Sequence, residues 1–201
     1  MPPKVLSHFK KVDPVLYQVI KEVGGMQNLK NRRGDDYFLD LVDAIVSQQL
    51  SGRVAEVIFG RFKNLFAGPK ILPESILKLK DEKIRAIGIS YSKIKYIKDL
   101  AKKVDEGVLA LKAMKDWEDE KIIVELTKVK GIGRWTAEMF LMFTLKREDV
   151  FSHGDLGLNN AIKKIYKLKN PTVKKVEKIV TKWSPYKSYA SRILWRSLDN
   201  R

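Results

Sequence analysis

Three observations predict an all-α protein. Apolar residues recur at helical spacing nearly throughout, and no stretch shows the period-two alternation of a half-buried strand. Helix-start residues stand just ahead of these runs, at Asp13-Pro14, Ser51, Ser90 and Thr172. Glycines and prolines punctuate the chain at Gly24-Gly25, Gly68-Pro69, Pro73, Gly88 and Gly107.

Asp13 is an N-cap with proline at the first helical position, and Val15, Leu16, Val19, Ile20 and Val23 make one face. The polar stretch from Asn28 to Asp36 reads as a linker. Tyr37 to Val46 follows as a strongly apolar helix, with Phe38, Leu41, Val42 and Ile45 inward. After Ser47-Gln48-Gln49-Leu50, Ser51 caps a helix carrying Val54, Val57, Ile58, Phe62 and Leu65. Short helices are expected from Glu74 to Leu79 and from Asp81 to Ile87. The helix after Ser90 has Ile94, Ile97, Leu100 and Val104 on one side and lysines on the other. Further helices are expected over 118–126, 134–145, 158–166 and 173–183, and a last one starts at Pro185. Trp117 and Trp183 read as core.

The chain has 201 residues, enough for one large domain or two small ones. Its formal charge is +16, from 40 Lys+Arg against 24 Asp+Glu. Such an excess points to a polyanionic partner, most often nucleic acid, although a solvated lysine-rich surface gives the same count. With no cysteine there is neither a disulfide nor a thiolate-held metal or iron–sulfur cluster. No apolar run is long enough for a membrane span, and Met1-Pro2-Pro3-Lys4 lacks the apolar core of a secretory signal. The expected address is cytoplasmic and nucleoid-associated in a prokaryote, or nuclear in a eukaryote.

The most informative stretch runs from Leu126 to Phe140. Gly131-Ile132-Gly133 joins two amphipathic runs, and glycine tolerates the positive φ of so tight a turn. The backbone donors of Gly131, Gly133, Arg134 and Trp135 then sit at a helix start, where free N–H groups and the helix dipole favour an anion. Lys128, Lys130 and Arg134 add positive charge, and Thr136 extends the same turn. The plain alternative is a helix C-cap followed by a new helix.

This string resembles the helix-hairpin-helix of the DNA glycosylase superfamily, whose hairpin reads apolar, any residue, Gly, aliphatic, Gly. The family's second mark is a loop with an aspartate shortly after the hairpin, matched here by Val150-Phe151-Ser152-His153-Gly154-Asp155-Leu156-Gly157-Leu158. Gly131-Ile132-Gly133-Arg134-Trp135-Thr136-Ala137 with Arg192-Ile193-Leu194-Trp195 looks most like the 3-methyladenine DNA glycosylase II branch. The resemblance implies two helical bundles flanking a DNA-binding cleft. One is continuous over 36–145 and ends in the hairpin. The other combines 1–35 with 146–201 and carries the aspartate loop. Double-stranded DNA containing damaged bases is the implied partner, and a monomer is expected.

The resemblance also assigns roles. A base inside a duplex must be rotated outward before chemistry. The wedge that fills the gap corresponds to Leu50, flanked by Gln48 and Gln49, although a buried turn leucine with exposed glutamines fits the spacing too. Asp155 corresponds to the catalytic carboxylate that stabilises an oxocarbenium-like sugar and activates water, although its context equally suits a helix cap. Trp135 stands where lyase-active relatives carry a Schiff-base lysine, so hydrolysis should stop at an abasic site. Trp195 corresponds to the base-stacking tryptophan, with Trp135 as a second wall, although core packing of Trp195 is the alternative. Met139 replaces a tyrosine of the bacterial enzyme. Alkylated purines carry positive charge, which electron-rich rings attract. No cofactor is required. The resemblance adds a possible sodium or magnesium ion on the backbone carbonyls of Thr127, Val129 and Ile132. His153 is not assigned a role. The rival readings are a glycosylase for deaminated or oxidised bases, a non-catalytic helix-hairpin-helix module, and an RNA-binding scaffold.

Overall fold

The computed structural model describes residues 1–24, 36–68 and 70–199. In chain order its helices are α1 (Pro3–Val12), α2 (Pro14–Glu22), α3 (Tyr37–Ser47), α4 (Gly52–Lys63), α5 (Pro73–Lys78), α6 (Asp81–Ala86), α7 (Tyr91–Asp105), α8 (Asp119–Thr127), α9 (Arg134–Met139), α10 (Leu156–Ile165), α11 (Val173–Val180) and α12 (Lys187–Asp199). Leu111–Asp116 and Thr181–Trp183 are 3₁₀ turns, and Phe140–Thr144 winds as a π-helix. No strand occurs among the described residues, and none of their helices is long and apolar enough to cross a membrane. The stretch expected as a linker lies outside them except for Asp36, as do Gly25 and Pro69 of the expected breaks.

The chain divides into two compact units, Met1–Arg32 with Leu141–Arg201, and Arg33–Phe140. The first is built from both chain ends. Its core gathers Val5 and Phe9 of α1, Leu16 and Ile20 of α2, Leu158 and Ile162 of α10, and Ile193 and Leu194 of α12 around Trp183. At its centre is a buried carboxylate. Asp13 caps α2 by accepting the Leu16 N–H at 3.0 Å. Its other oxygen accepts the Trp183 indole N–H at 2.8 Å and the Tyr166 hydroxyl at 2.6 Å. A buried polar group is costly unless paired, and here three donors share one buried acceptor residue. Burial, with the Asp13 carboxylate next in weight, pushes the Tyr166 phenol far above its ordinary pKa. Sequence periodicity missed α1 altogether, although Val5 and Phe9 stand four residues apart.

In the continuous unit, Asp36 caps α3 by accepting the Leu39 N–H at 3.1 Å. α7 packs on α3, α5 and α6 through Ile94, Ile97 and Leu100. Two of its lysines clamp neighbouring backbone. Lys98 reaches the Leu79 carbonyl at 2.8 Å and the Asp81 carboxylate. Lys93 donates to the carbonyls of Val46 at 2.8 Å and Gln48 at 2.6 Å, closing the C-terminal end of α3. Burial lowers the Lys93 pKa.

Three sequence expectations need correction. In α4 only Ala55 and Phe62 are buried, whereas Val54 and Val57 stand about half exposed, and the Ser51 hydroxyl makes no cap. Trp117 is half-buried under the Lys121 ammonium, 4.1 Å from its ring, rather than in a core. The helix expected over 134–145 is α-helical only to Met139. Beyond it the wider π turn presents the Met142 carbonyl to the Arg192 guanidinium.

Candidate functional site

In the hairpin, α8 ends at Thr127 and α9 begins at Arg134. Gly131 has φ +81°, and a Cβ there would fall 2.1 Å from Cδ2 of Tyr96. Backbone and packing both demand glycine. Gly133 differs, because its φ is −90° and nothing lies within 4 Å of where its Cβ would be. The protein's own packing does not require a glycine at 133, and the space beside its backbone is open. The N–H groups of Gly133 and Arg134 belong to a helix start, which offers them no acceptor inside the helix.

The turn is braced from the side. Asp99 accepts the Lys130 N–H at 2.9 Å and both Lys103 contacts at 2.8 Å. Burial works against the Asp99 charge, but these donors and the neighbouring lysines outweigh it and hold the carboxyl below its usual range. Gln48 donates its amide to the Gly131 carbonyl at 2.8 Å. That ties the Leu50 turn to the hairpin and leaves Gln49 as the exposed amide of the pair. Gln49 has φ +57°, and Leu50 beside it is half-buried.

The side chain of Arg134 is not a free cation. It makes a bidentate pair with Glu120, at 2.8 and 2.9 Å, and donates from Nε to Glu138 at 3.0 Å. The Glu120 contacts dominate in raising the guanidinium pKa. Arg134 therefore clamps α8 to α9, and only its backbone N–H points to an anion role. Lys128 pairs with Glu125, while Lys130 is exposed. Thr136 is buried, Met139 half-buried and Trp135 about half exposed. Of the three carbonyls considered for a cation, that of Val129 already accepts the Ile132 N–H at 3.1 Å.

The second cluster lies in the unit built from both chain ends. Asp155 caps α10, and its Oδ1 accepts the Leu158 N–H at 2.7 Å and the Trp195 indole N–H at 3.0 Å. The residue is 8% exposed. A Cβ on Gly157 would sit 3.1 Å from Asp155 Oδ1 and 3.2 Å from the Trp195 ring, so this glycine lets the indole reach the carboxylate. Asn159 pins the loop by donating to the carbonyls of His153 and Asp155, at 2.8 and 2.9 Å. His153 itself turns to Glu177 of α11, 3.0 Å away.

Trp195 stacks on Phe143, with centroids 5.9 Å apart and planes 26° apart. Phe143 is 42% exposed. The Arg192 guanidinium lies 4.7 Å from the Phe143 ring, and its burial lowers its pKa to about 10. Sequence reasoning missed Phe143, and it quoted Arg192 within the C-terminal motif without giving it a role. The π turn decides where Phe143 points, and regular helical spacing does not show it. Trp135, expected as the second wall, belongs to the other unit. Within its own unit Trp195 is partnered by Phe143.

Comparison with known proteins identifies the family. A family model for the HhH-GPD superfamily base excision DNA repair protein matches residues 42–185. DNA-3-methyladenine glycosylase 1 of Schizosaccharomyces pombe is 33% identical over 197 residues, covering 96% of this chain and 86% of its own. The solved structure of a 3-methyladenine DNA glycosylase from that organism, in complex with abasic DNA, superposes with a TM-score of 0.85 at 32% identity, covering 96% and 95% of the two chains. A DNA-3-methyladenine glycosidase from Bacillus halodurans gives a TM-score of 0.85 at 36% identity, covering 99% and 90%. The matched region, the relatives and the shared architecture agree: the chain belongs to the HhH-GPD superfamily of base excision DNA repair proteins.

Proposed function

We propose that this chain is a monofunctional DNA glycosylase that releases alkylated, positively charged purines such as 3-methyladenine and 7-methylguanine from duplex DNA. The observation that carries the reading is the pairing of Asp155 with Trp195. Two donors converge on one carboxylate oxygen and fix the plane of the group, and the indole that supplies one of them is half of an aromatic stack. A fixed negative charge needs no reorganisation when positive charge develops on the sugar. The electron-rich rings of Trp195 and Phe143 suit a cationic base by roughly 0.5–2 kcal/mol.

In the reaction the C1′–N bond breaks and its electron pair leaves with the base, which departs neutral. Water adds to C1′ and gives up a proton towards Asp155, leaving an abasic site. The indole at Trp135 has no amine for Schiff-base chemistry, so the reaction stops there. The hairpin grips phosphate through the backbone N–H groups at Gly133 and Arg134, with Lys128 and Lys130 adding charge. Such contacts hold DNA without reading sequence. Leu50 acts as the wedge, with Gln49 beside it. The carbonyls of Thr127, Val129 and Ile132 are hard oxygen donors at a helix C-terminus, a donor set that suits sodium or magnesium, and such an ion would brace the turn. The protein works as a monomer where the DNA is, in the nucleoid or the nucleus.

The test is single-turnover release of methylated purines from a duplex, with strand scission scored before and after alkali. The wild-type protein should release free base and cut only after alkali. Asp155→Asn keeps the cap and lowers the rate by about 10²–10³. A wild-type protein that binds duplex yet releases no base overturns the reading, as does an Asp155→Asn protein of wild-type rate.

A further inference from the structure

The charge of this protein is not spread evenly. Between Lys163 and Lys182 eight lysines stand against a single acidic residue, Glu177. All eight are exposed. They also differ in kind from four of the five lysines of α7. There Lys93, Lys98, Lys102 and Lys103 are tied to carbonyls or carboxylates of the fold. Among the described residues, no lysine between 163 and 182 has such a partner. Their ammonium groups are left to solvent.

Helix geometry aligns part of this charge. Lys174 and Lys178 of α11 and Lys182 of the following turn line one open depression of about 600 Å³, together with Val173, Glu177 and Thr181. Residues four apart on a helix stand about 6 Å apart along its axis, so the three ammonium groups make a row about 12 Å long. Phosphates of one DNA strand rise about 3.4 Å each along the duplex axis, so the row spans three to four of them. The one carboxylate in the depression is drawn to His153. Lys163 and Lys164 add charge at the C-terminal end of α10, whereas Asp155 caps its N-terminus, so the ten-residue helix separates them by about 12 Å along its axis.

We infer that the lysine row of α11 is a second DNA-binding surface in addition to the hairpin's, which takes the phosphate backbone of undamaged duplex and borders the Asp155 loop where Glu177 meets His153. It holds DNA by charge alone and carries no sequence or lesion preference. An acidic protein would also meet this charge, but the chain's own substrate class is a polyanion, and evenly spaced lysines match its repeating phosphates. This inference rests on the DNA-glycosylase reading. Base release by the wild-type protein tests that reading separately.

The experiment uses the full chain and measures binding to an undamaged duplex as a function of salt. Each phosphate contact contributes about 0.9 to the slope of log K against log salt. The K174Q/K178Q/K182Q variant should lower that slope by about 2.7. K174R/K178R/K182R should keep the wild-type slope, which rules out a general disturbance of α11. Single-turnover base release at saturating protein should match wild type in both variants. An unchanged slope in the glutamine variant overturns the proposal. So does an equal loss in the arginine variant, because the loss would then follow the side chains and not their charge.

Discussion

Replacing Gly131 and Gly133 in turn by alanine separates what the fold needs from what the ligand needs. At Gly131 the added methyl meets two obstacles. Its φ of +81° is left-handed, and its Cβ would lie 2.1 Å from the Tyr96 ring. The backbone costs about 1–2 kcal/mol and the forced shift about 1–3 kcal/mol. A less flexible unfolded chain returns about 0.4–1 kcal/mol, so Gly131→Ala should destabilise by about 2–4 kcal/mol. At Gly133 the φ of −90° suits alanine, and no atom lies within 4 Å of the new Cβ. Losing glycine at an N-cap roughly cancels the gain in the unfolded state, so stability should stay within about 0.5 kcal/mol. Binding to duplex should nevertheless weaken for all sequences alike, because the methyl stands where a phosphate would approach. Urea unfolding and duplex titration on both variants measure this. A further check follows from Tyr96. Tyr96→Ala should rescue part of the Gly131→Ala loss, since the pair is in contact. Equal stability of the two glycine variants, or undiminished binding by Gly133→Ala, would refute the reasoning.

Trp195→Phe keeps a ring against Phe143 but removes the donor to Asp155. Excision should slow by about tenfold, which is one hydrogen bond to a charged group, and the effect should vanish in an Asp155→Asn background. Asp13→Ala leaves the buried Trp183 indole and Tyr166 hydroxyl without their acceptor and removes a cap, and should cost about 3–5 kcal/mol in urea unfolding. A Tyr166→Phe protein should lose far less. Asp99 has a lowered carboxyl pKa, so its stabilisation is present above the unfolded-chain value and is lost as pH falls towards the lowered one. Asp99→Asn should therefore flatten the acid limb of stability against pH, and an unchanged limb would place that dependence elsewhere.

Local features of this protein were legible in the sequence, and distant pairings were not. The caps at Asp13, Ser90, Asp155 and Thr172 accept the backbone N–H three residues on, as their context suggests. Such bonds depend on residues close in sequence. Periodicity also found α3 and α7, whose expected inner positions are all buried except the half-buried Val104. It failed for α4, where Val54 and Val57 look like a buried stripe and are half exposed. The partners that give the site its shape are farther away. Gln48 meets Gly131 across 83 residues, Trp195 meets Asp155 across 40, and Asp13 meets Trp183 across 170. Motif resemblance pointed to Asp155 and Trp195 separately, but their hydrogen bond appears only once α10 and α12 are folded. Arg134 shows the same limit, because its charge is visible in the sequence and its two carboxylate partners are not.

The bond between Asp13 and Trp183 also sets an order of events during synthesis. Residues 33–140 form a unit that is continuous along the chain, so every partner it needs has been made once Phe140 has left the ribosome. The other unit has its first two helices at the start of the chain and its remaining partners after Leu141. Until the later residues emerge, α1 and α2 carry Val5, Phe9, Leu16 and Ile20 with no core to enter, and Asp13 lacks one donor until Tyr166 and the other until Trp183. At about 5–20 residues per second, the wait from Asp13 to Trp183 lasts roughly ten to thirty seconds. For that time the nascent protein is a folded middle with an apolar leading end. That end is where a chaperone would be expected to hold it. A circular permutant that joins the two halves of the split unit in sequence should shorten the exposure without changing the finished fold.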